Sequence, residues 1–576
     1  MSSIGSERGS GVTAHDINYW TSPRNMVRRR TFLQGSVIAA GGISLALIGC
    51  GSKEETGTTS GAPAASNASG SAAAPAAPKV GGELAVVATS DPPSLDPYLQ
   101  SAGGTYTFVG PIYSKLLDFA ATDSIKPFEN KMVGDLAASW EATPDGLTYI
   151  FKLRDGVKWQ NVDPVNGRAL VAEDVAFALN KMRTPDPLYT SAYVLDPVSK
   201  IEAVDAKTVK FTLKTVFAPF LDSIGHQNSL ILPKEIFDKY KDGRTKAAGT
   251  GPFILDSQLA GSAHILRRNP DYFGGQVLLD KVKYTVLPDS AAQVAAFRAN
   301  QLDIISSNQK NQVADILKSN PKTQQFVLPG ASGVRLVINN ARKPYDDVRV
   351  RTAIDKAIDR SAMIKTIFDG EARLMGILGA NCTPWDIPQA EIEGFWKTDV
   401  ADAKKLLDAA GFQSGFATEW ENSNAAPGNI SVLELIQAAL KPLKVDLKIK
   451  SVEYADWQKH ANTQDFVAFM TGVRAATDPD GIFFRNYHPR SAQRWVELKN
   501  DEYKPLVDLV DKQRTELDPK KRLEISQNLT RGLLNSHLAP GLYDPKSYVL
   551  ANPRVQGYAA HGLSNNQEYR HTSIRA

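Results

Sequence analysis

The sequence predicts a mixed α/β protein, and three observations carry that expectation. Leu147, Tyr149, Phe151 and Leu153 alternate with Thr148, Ile150, Lys152 and Arg154, the period-two pattern of a half-buried strand. Val171, Val175, Ala178, Leu179 and Met182 recur at i, i+4, i+7, i+8 and i+11, the pattern of a helix with one apolar face. In "LELIQAALKPLKVDLKIKSVEY" the helical period gives way to the strand period within one segment, as in an αβ unit of a layered sheet protein.

In chain order, the 147–153 strand is closed by Asp155-Gly156, a hairpin signal. The helix in "LVAEDVAFALNKM" stops before Pro185 and Pro187, which cannot continue it. Val209, Phe211 and Leu213 alternate with Lys210 and Thr212 in a second strand. Val350, Ile354, Ala357 and Ile358 line a helix that starts at Asp346-Asp347, whose carboxylates satisfy free N–H groups, and ends by Gly370. Ala403, Leu406, Leu407 and Ala410 line another, with Asp399 as N-cap and Gly411 as its stop. Pro442 ends the next helix, and Val445, Leu447 and Ile449 then alternate with charged residues. No fixed-period repeat is present.

The chain has 576 residues, 42% hydrophobic and 22% charged, room for two to four packed domains. Its net charge is +4, and residues 1–49 alone hold five arginines and two acids. The nearly neutral remainder lacks the basic face that nucleic acid requires. Cys50 and Cys382 are the two cysteines, which excludes a disulfide framework and a thiolate metal site. The eight histidines form neither HExxH nor an i, i+4 pair, and GxSxG, GxxxxGK[ST] and GxGxxG are all missing. No metal or cofactor is expected. Asp478 and Asp480 in "TDPDGIF" offer an acid/base pair for a secreted hydrolase, but Asp-Pro-Asp-Gly is strong turn chemistry ahead of Phe483 and Phe484. The composite reading is of a protein that is not an enzyme.

The N-terminal region reads as export and tethering. Arg28, Arg29 and Arg30 precede an apolar run from Phe32 to Gly49, near the lower length limit for a membrane span but rich in Gly and Ala. Arg29-Arg30-Thr31-Phe32-Leu33-Gln34 resembles a twin-arginine export motif, with Gln in its last place. Leu47-Ile48-Gly49-Cys50 resembles a bacterial lipobox, in which Cys50 takes the lipid. Residues 1–49 are thus a signal peptide. Residues 50–79, rich in Ser, Ala, Gly and Pro, are a disordered tether with a span of about 30 Å.

From about Gly81 onwards the chain resembles the extracellular solute-binding proteins of family 5, the peptide/nickel class that feeds ABC importers. The resemblance rests on "GGELAVVATSDPPSLDP", "GDLAASWEATPDGLTYIFKLRDGVKW", "AEDVAFAL", "GTGPFIL", "LRRNPDYF", "DVRVRTAIDKAIDR", "ADAKKLLDAAGF" and "DPDGIFF", in the family's order. It implies a two-lobe periplasmic-binding-protein-like fold, type II and cluster C-like, with an extra domain inserted in lobe I. Lobe I would comprise 80–117, 249–332 and 540–576, the insert 118–248 and lobe II 333–539. The chain would cross between lobes near Ser332–Arg335 and Pro540–Tyr543, and hinge closure on the solute would signal to the permease.

Dipeptide-type relatives place an aspartate for the ligand amine where this chain has Ala475, and an arginine for the carboxylate near Ser423. With both charged ends of that clamp missing, a free dipeptide is disfavoured. Trp385, Trp420, Asn422, Asn424, Arg474 and Asp478, with Tyr106 from lobe I, are the candidate ligand-binding residues. Aromatic faces and amides suit a peptide backbone or an oligosaccharide. The expected protein is a monomeric, lipid-anchored or periplasmic receptor on the outer face of the cell membrane, delivering such a solute to a permease. A secreted hydrolase and a surface interaction protein that has lost transport are the alternatives from other classes.

Overall fold

A computed structural model describes residues 80–575, apart from 100–102, 123–124, 128, 130, 185–188, 190–191, 331–332, 425, 427, 474–475, 492–493, 499 and 562–566. The signal, lipobox and tether readings, Cys50 included, lie outside the described residues, as do Arg474 and Ala475.

Among the described residues, two large sheets carry the architecture. A seven-stranded sheet runs in the order Gln324–Leu328, Ser547–Ala551, Ile304–Ser307, Glu83–Ala88, Lys281–Val286, Ala263–Arg268, Phe253–Leu259. A six-stranded sheet runs Ala372–Leu374, Gly541–Pro545, Val334–Ile338, Ala468–Gly472, Phe416–Ser423, Val445–Val452. A four-stranded antiparallel sheet, Ala137–Ala142, Thr148–Leu153, Thr208–Leu213, Val198–Asp205, carries the helix Ala172–Met182.

Thr148–Leu153 is the strand that its alternation indicates, but the hairpin turn lies on its other side. It pairs back to Ala137–Ala142 across residues 143–147, where Asp145 accepts from Thr143 Oγ1 at 2.6 Å and from Leu147 N at 3.0 Å. Asp155-Gly156 leads instead to a single bridge, Lys158 to Ala169. The helix starting at Asp347 is also shorter than its apolar face suggests. It ends at Ala357, Ile358 is extended, and Asp359 caps a second helix, Arg360–Phe368, by accepting from Ala362 N at 2.9 Å. Asp399 caps Val400–Ala409 through Asp402 N, and Gly411 follows with φ of +88°.

The six-stranded sheet is apolar on both faces. Leu336 and Ile338 pack with Trp420, Val432 and Leu447 on one side, and Val337 packs with Ile377, Phe469 and Phe483 on the other. The chain passes from the seven-stranded to the six-stranded sheet between Leu328 and Val334 and returns between Pro545 and Ser547. The return falls at Lys546, later than the crossing near Pro540–Tyr543 and the lobe boundary at 540 that the resemblance implies, because Gly541–Pro545 is still bonded to Val334–Ile338 and Ala372–Leu374. Glu371 clasps this crossing, accepting from Lys546 Nζ at 2.5 Å and from Lys310 Nζ at 2.6 Å. At Gly330 φ is +131°, and a Cβ would stand 2.6 Å from Asp544 Oδ1, so the first crossing requires glycine.

Candidate functional site

Strand directions define where the six-stranded sheet faces the rest of the chain. Val334 lies opposite Gly472 and Tyr543, and Glu421 runs parallel beside Phe469. The start of Val334–Ile338 therefore shares one edge of the sheet with the ends of Ala468–Gly472, Phe416–Ser423 and Gly541–Pro545. Both crossings leave from that edge. Asn422, Asn424, Val473 and the segment Ala476–Asp480 all belong to it, as does Arg335.

A buried polar network follows the edge. Arg522, from the helix Pro519–Ser536, grips Asp478 with two 2.6 Å hydrogen bonds, Nη1 to Oδ2 and Nη2 to Oδ1. Its Nε donates to Gln513 O at 2.8 Å, and its guanidinium lies 4.8 Å from the centre of the Trp385 ring. Asp478 Oδ1 also accepts from Asp480 N at 2.9 Å, the capped turn that Asp-Pro-Asp-Gly encodes, and opens the helix Asp480–Tyr487. Asp480 Oδ1 accepts from Gln513 Nε2 at 2.6 Å and lies 3.2 Å from Arg514 Nε. Arg514 stacks on Phe484 at 3.7 Å.

The same network reaches the segment that follows the four-stranded sheet. Ala218 N donates to Arg514 O at 2.7 Å, Phe217 lies 5.0 Å below the Arg514 guanidinium, and Asp222 is hydrogen-bonded to Thr477. Three buried carboxyl groups, Asp222, Asp478 and Asp480, thus meet two guanidiniums. The charges balance only if one carboxyl keeps its proton. Burial and then the Asp478 charge push Asp222 up to about 8, and burial raises Asp480 as well. Cys382 sits in the same surroundings, its thiol donating to Ala476 O at 2.9 Å, and burial followed by the Asp478 and Asp222 charges pushes it well up. It is an inert thiol.

The sequence candidates separate into two groups. Asp478 and Trp385 meet through Arg522. Asn422 is fully buried at the edge; its Nδ2 donates to Ser423 O at 3.1 Å, while its Oδ1 has no partner among the described residues. Asn424 is exposed, and its Oδ1 accepts from Tyr454 N at 3.1 Å, at the start of the helix Tyr454–Thr463. Trp420 and Tyr106 stand apart from these. Trp420 is fully buried in the apolar layer and donates to Tyr345 Oη at 3.0 Å; Tyr106 is fully buried and donates to Pro97 O at 3.0 Å. In this conformation both are packing residues.

Sequence reasoning missed Asp222, Arg335 and Arg522. Asp222 in "APFLDSIG" and Arg335 in "VRLVI" are single charges in apolar runs, which was the available signal. Arg522 in "DPKKRLEIS" looks like any surface charge of a helix.

With this geometry in hand, the class is set by comparison. Residues 131–494 match the bacterial extracellular solute-binding proteins, family 5, and the chain belongs to that family, whose members are solute-binding proteins rather than enzymes. Its fold is the two-lobe periplasmic-binding-protein fold. The dipeptide-binding protein of Escherichia coli strain K12 is 27% identical over 516 residues, 84% of this chain and 93% of that one. Di/tripeptide-binding protein 2 of Pseudomonas aeruginosa strain UCBPP-PA14 is 28% identical over 529 residues, 86% of this chain and 95% of that one. The ABC transporter-associated periplasmic binding protein DppA of Helicobacter pylori, solved with the peptide STSA, superposes with a TM-score of 0.75 at 26% identity, covering 86% of this chain and 99% of its own. Among the described residues no helix is long and apolar enough to cross a membrane.

Two outcomes follow from the network. Asp478→Asn leaves the buried Arg522 without its carboxylate and should cost roughly 3–5 kcal/mol, read as a lower urea midpoint. Asp222 holds its proton in the folded chain to about pH 8 but in the unfolded chain only to about 4, so its stabilisation is complete in acid and fades as pH rises towards 8. Asp222→Asn, neutral at every pH, should unfold at a higher temperature than the parent at pH 8, with the difference vanishing towards pH 4. Parallel melting profiles would remove the proton from Asp222.

Proposed function

We propose that the chain is the capture receptor of an ABC importer, and that it holds a peptide-like solute where the seven-stranded and six-stranded sheets meet. The carrying observation is the shared sheet edge: both crossings leave from it, and Asn422, Asp478 and the loop towards Asp480 gather on it. Relatives named for dipeptides and di/tripeptides, aligned over most of their length, supply the solute class. Asp478 and Asp480 are both engaged by arginines, which favours an architectural role for them over acid/base chemistry.

We divide the chain as lobe I, residues 80–117, 249–328 and 547–576; an insert, 118–248, built on the four-stranded sheet; and lobe II, 334–545. Closure about the segments 329–333 and 545–547 brings Asp222 and Ala218 against Thr477 and Arg514 and presents both lobes to the permease. Cys50 carries the lipid, and the 50–79 tether lets the body face the permease in any orientation.

Purified protein, denatured and analysed by mass spectrometry, should release short peptides. Release of oligosaccharides would replace the peptide reading, and turnover of a bound solute would overturn the receptor reading. Cys50→Ala should move the protein from the membrane fraction to the soluble fraction; continued membrane association would end the lipobox assignment.

A further inference from the structure

Arg335 is the second residue of Val334–Ile338, opposite Thr471 near the edge where both crossings leave, and it is 0% exposed. Its Nη1 donates to Tyr487 Oη at 2.8 Å and its Nη2 to Ile377 O at 2.8 Å; Trp495 lies 5.4 Å away, face to the cation. A guanidinium carries five N–H donors. Among the described residues Nε has no acceptor and no carboxylate lies within ion-pair distance of Arg335.

The other fully buried arginines are handled differently. Arg351 gives four hydrogen bonds, to Ser536 O, Tyr345 O, Asp346 O and Tyr503 Oη. Arg360 pairs with Asp355 and donates to Gly541 O at 2.8 Å. Near Arg335, the acid that feels its charge is Asp386, which also feels Arg373 and Glu391. Asp386 Oδ1 accepts from Ile387 N at 2.9 Å, and its Oδ2 is buried without a partner among the described residues. Burial pushes Asp386 up to about 7, so over the acid to neutral range it carries little charge to offset Arg335.

A buried cation with donors to spare and no anion is costly, and an arriving anion removes the cost. We propose that Arg335 is the anchor for a carboxylate of the solute, so that the receptor selects anionic peptide-like solutes. The proposal rests on the receptor reading above and names its substrate class. The carboxylate enters with the lobes apart and pairs with the guanidinium in the fork geometry that suits it, beside Trp495 and Tyr487 of the same lobe. Ser423, where the family resemblance leads one to look for an arginine, lies on a strand two places away, about 10 Å at ordinary strand spacing.

The test is calorimetric titration of the full chain with Ala-Ala-Ala, Ala-Ala-Ala-amide and Ala-Glu-Ala-amide. The parent should bind at least one carboxylate-bearing tripeptide roughly tenfold more tightly than the neutral amide, the size expected of a charge-assisted pair. The first or the third peptide being favoured tells a terminal from a side-chain carboxylate. Arg335→Gln should erase the preference and Arg335→Lys should keep part of it. Equal affinities for all three in the parent overturn the anchor while leaving a peptide receptor standing, and that comparison needs no variant should Arg335→Gln fail to fold. If no tripeptide binds, melting of the parent in succinate decides: a rise that Arg335→Lys shares keeps the anchor and ends the peptide reading, and no rise overturns the anchor.

Discussion

The buried ion pair of Asp478 and Arg522 is the constraint on which the centre of the molecule depends. A carboxylate and a guanidinium this deep can coexist only in good register, each using its remaining bonding capacity. Here they do: Arg522 spends Nε on Gln513 O, and Asp478 spends Oδ1 twice, once on the amide that opens the next helix. The pair therefore fixes the loop after Ala468–Gly472, orients the helix Asp480–Tyr487, and lays the guanidinium against Trp385.

What that loop touches explains why its position matters. Thr477 meets Asp222 and Arg514 meets Phe217 and Ala218, so one polar network links the six-stranded sheet to the body that carries the four-stranded one. The network is charge-balanced only with one proton aboard. Glycine at 330 and the Glu371 clasp at Lys546 keep the two crossings close together at one edge. Two close crossings at one edge are the geometry that the proposed closure requires.

Much of this was legible in the sequence. Period and caps located Thr148–Leu153, Ala172–Met182 and Val400–Ala409, because each depends on residues adjacent in sequence. The hairpin turn and the break at Ile358 were not, since each is decided by a competing cap, Asp145 in one case and Asp359 in the other. For the site, the Asp-Pro-Asp-Gly turn was readable and its partner was not. Arg522 reaches Asp478 across 44 residues, and no local pattern encodes that meeting. Trp420 shows the opposite failure: an indole beside amides suggested a ligand surface, yet its strand position points it into the apolar layer beneath Tyr345.

The measurement that bears most directly on solute capture between the two sheets is amide hydrogen exchange of the full chain with and without a saturating short peptide. Ala218, whose N–H is given to Arg514 across the junction, and the amides of Val473, Ala476, Thr477, Asp478 and Asp480 report its two sides. Capture with closure predicts that both sets slow together when the peptide is added. Slowing on one side alone, or only at residues remote from the sheet edge, would contradict the account.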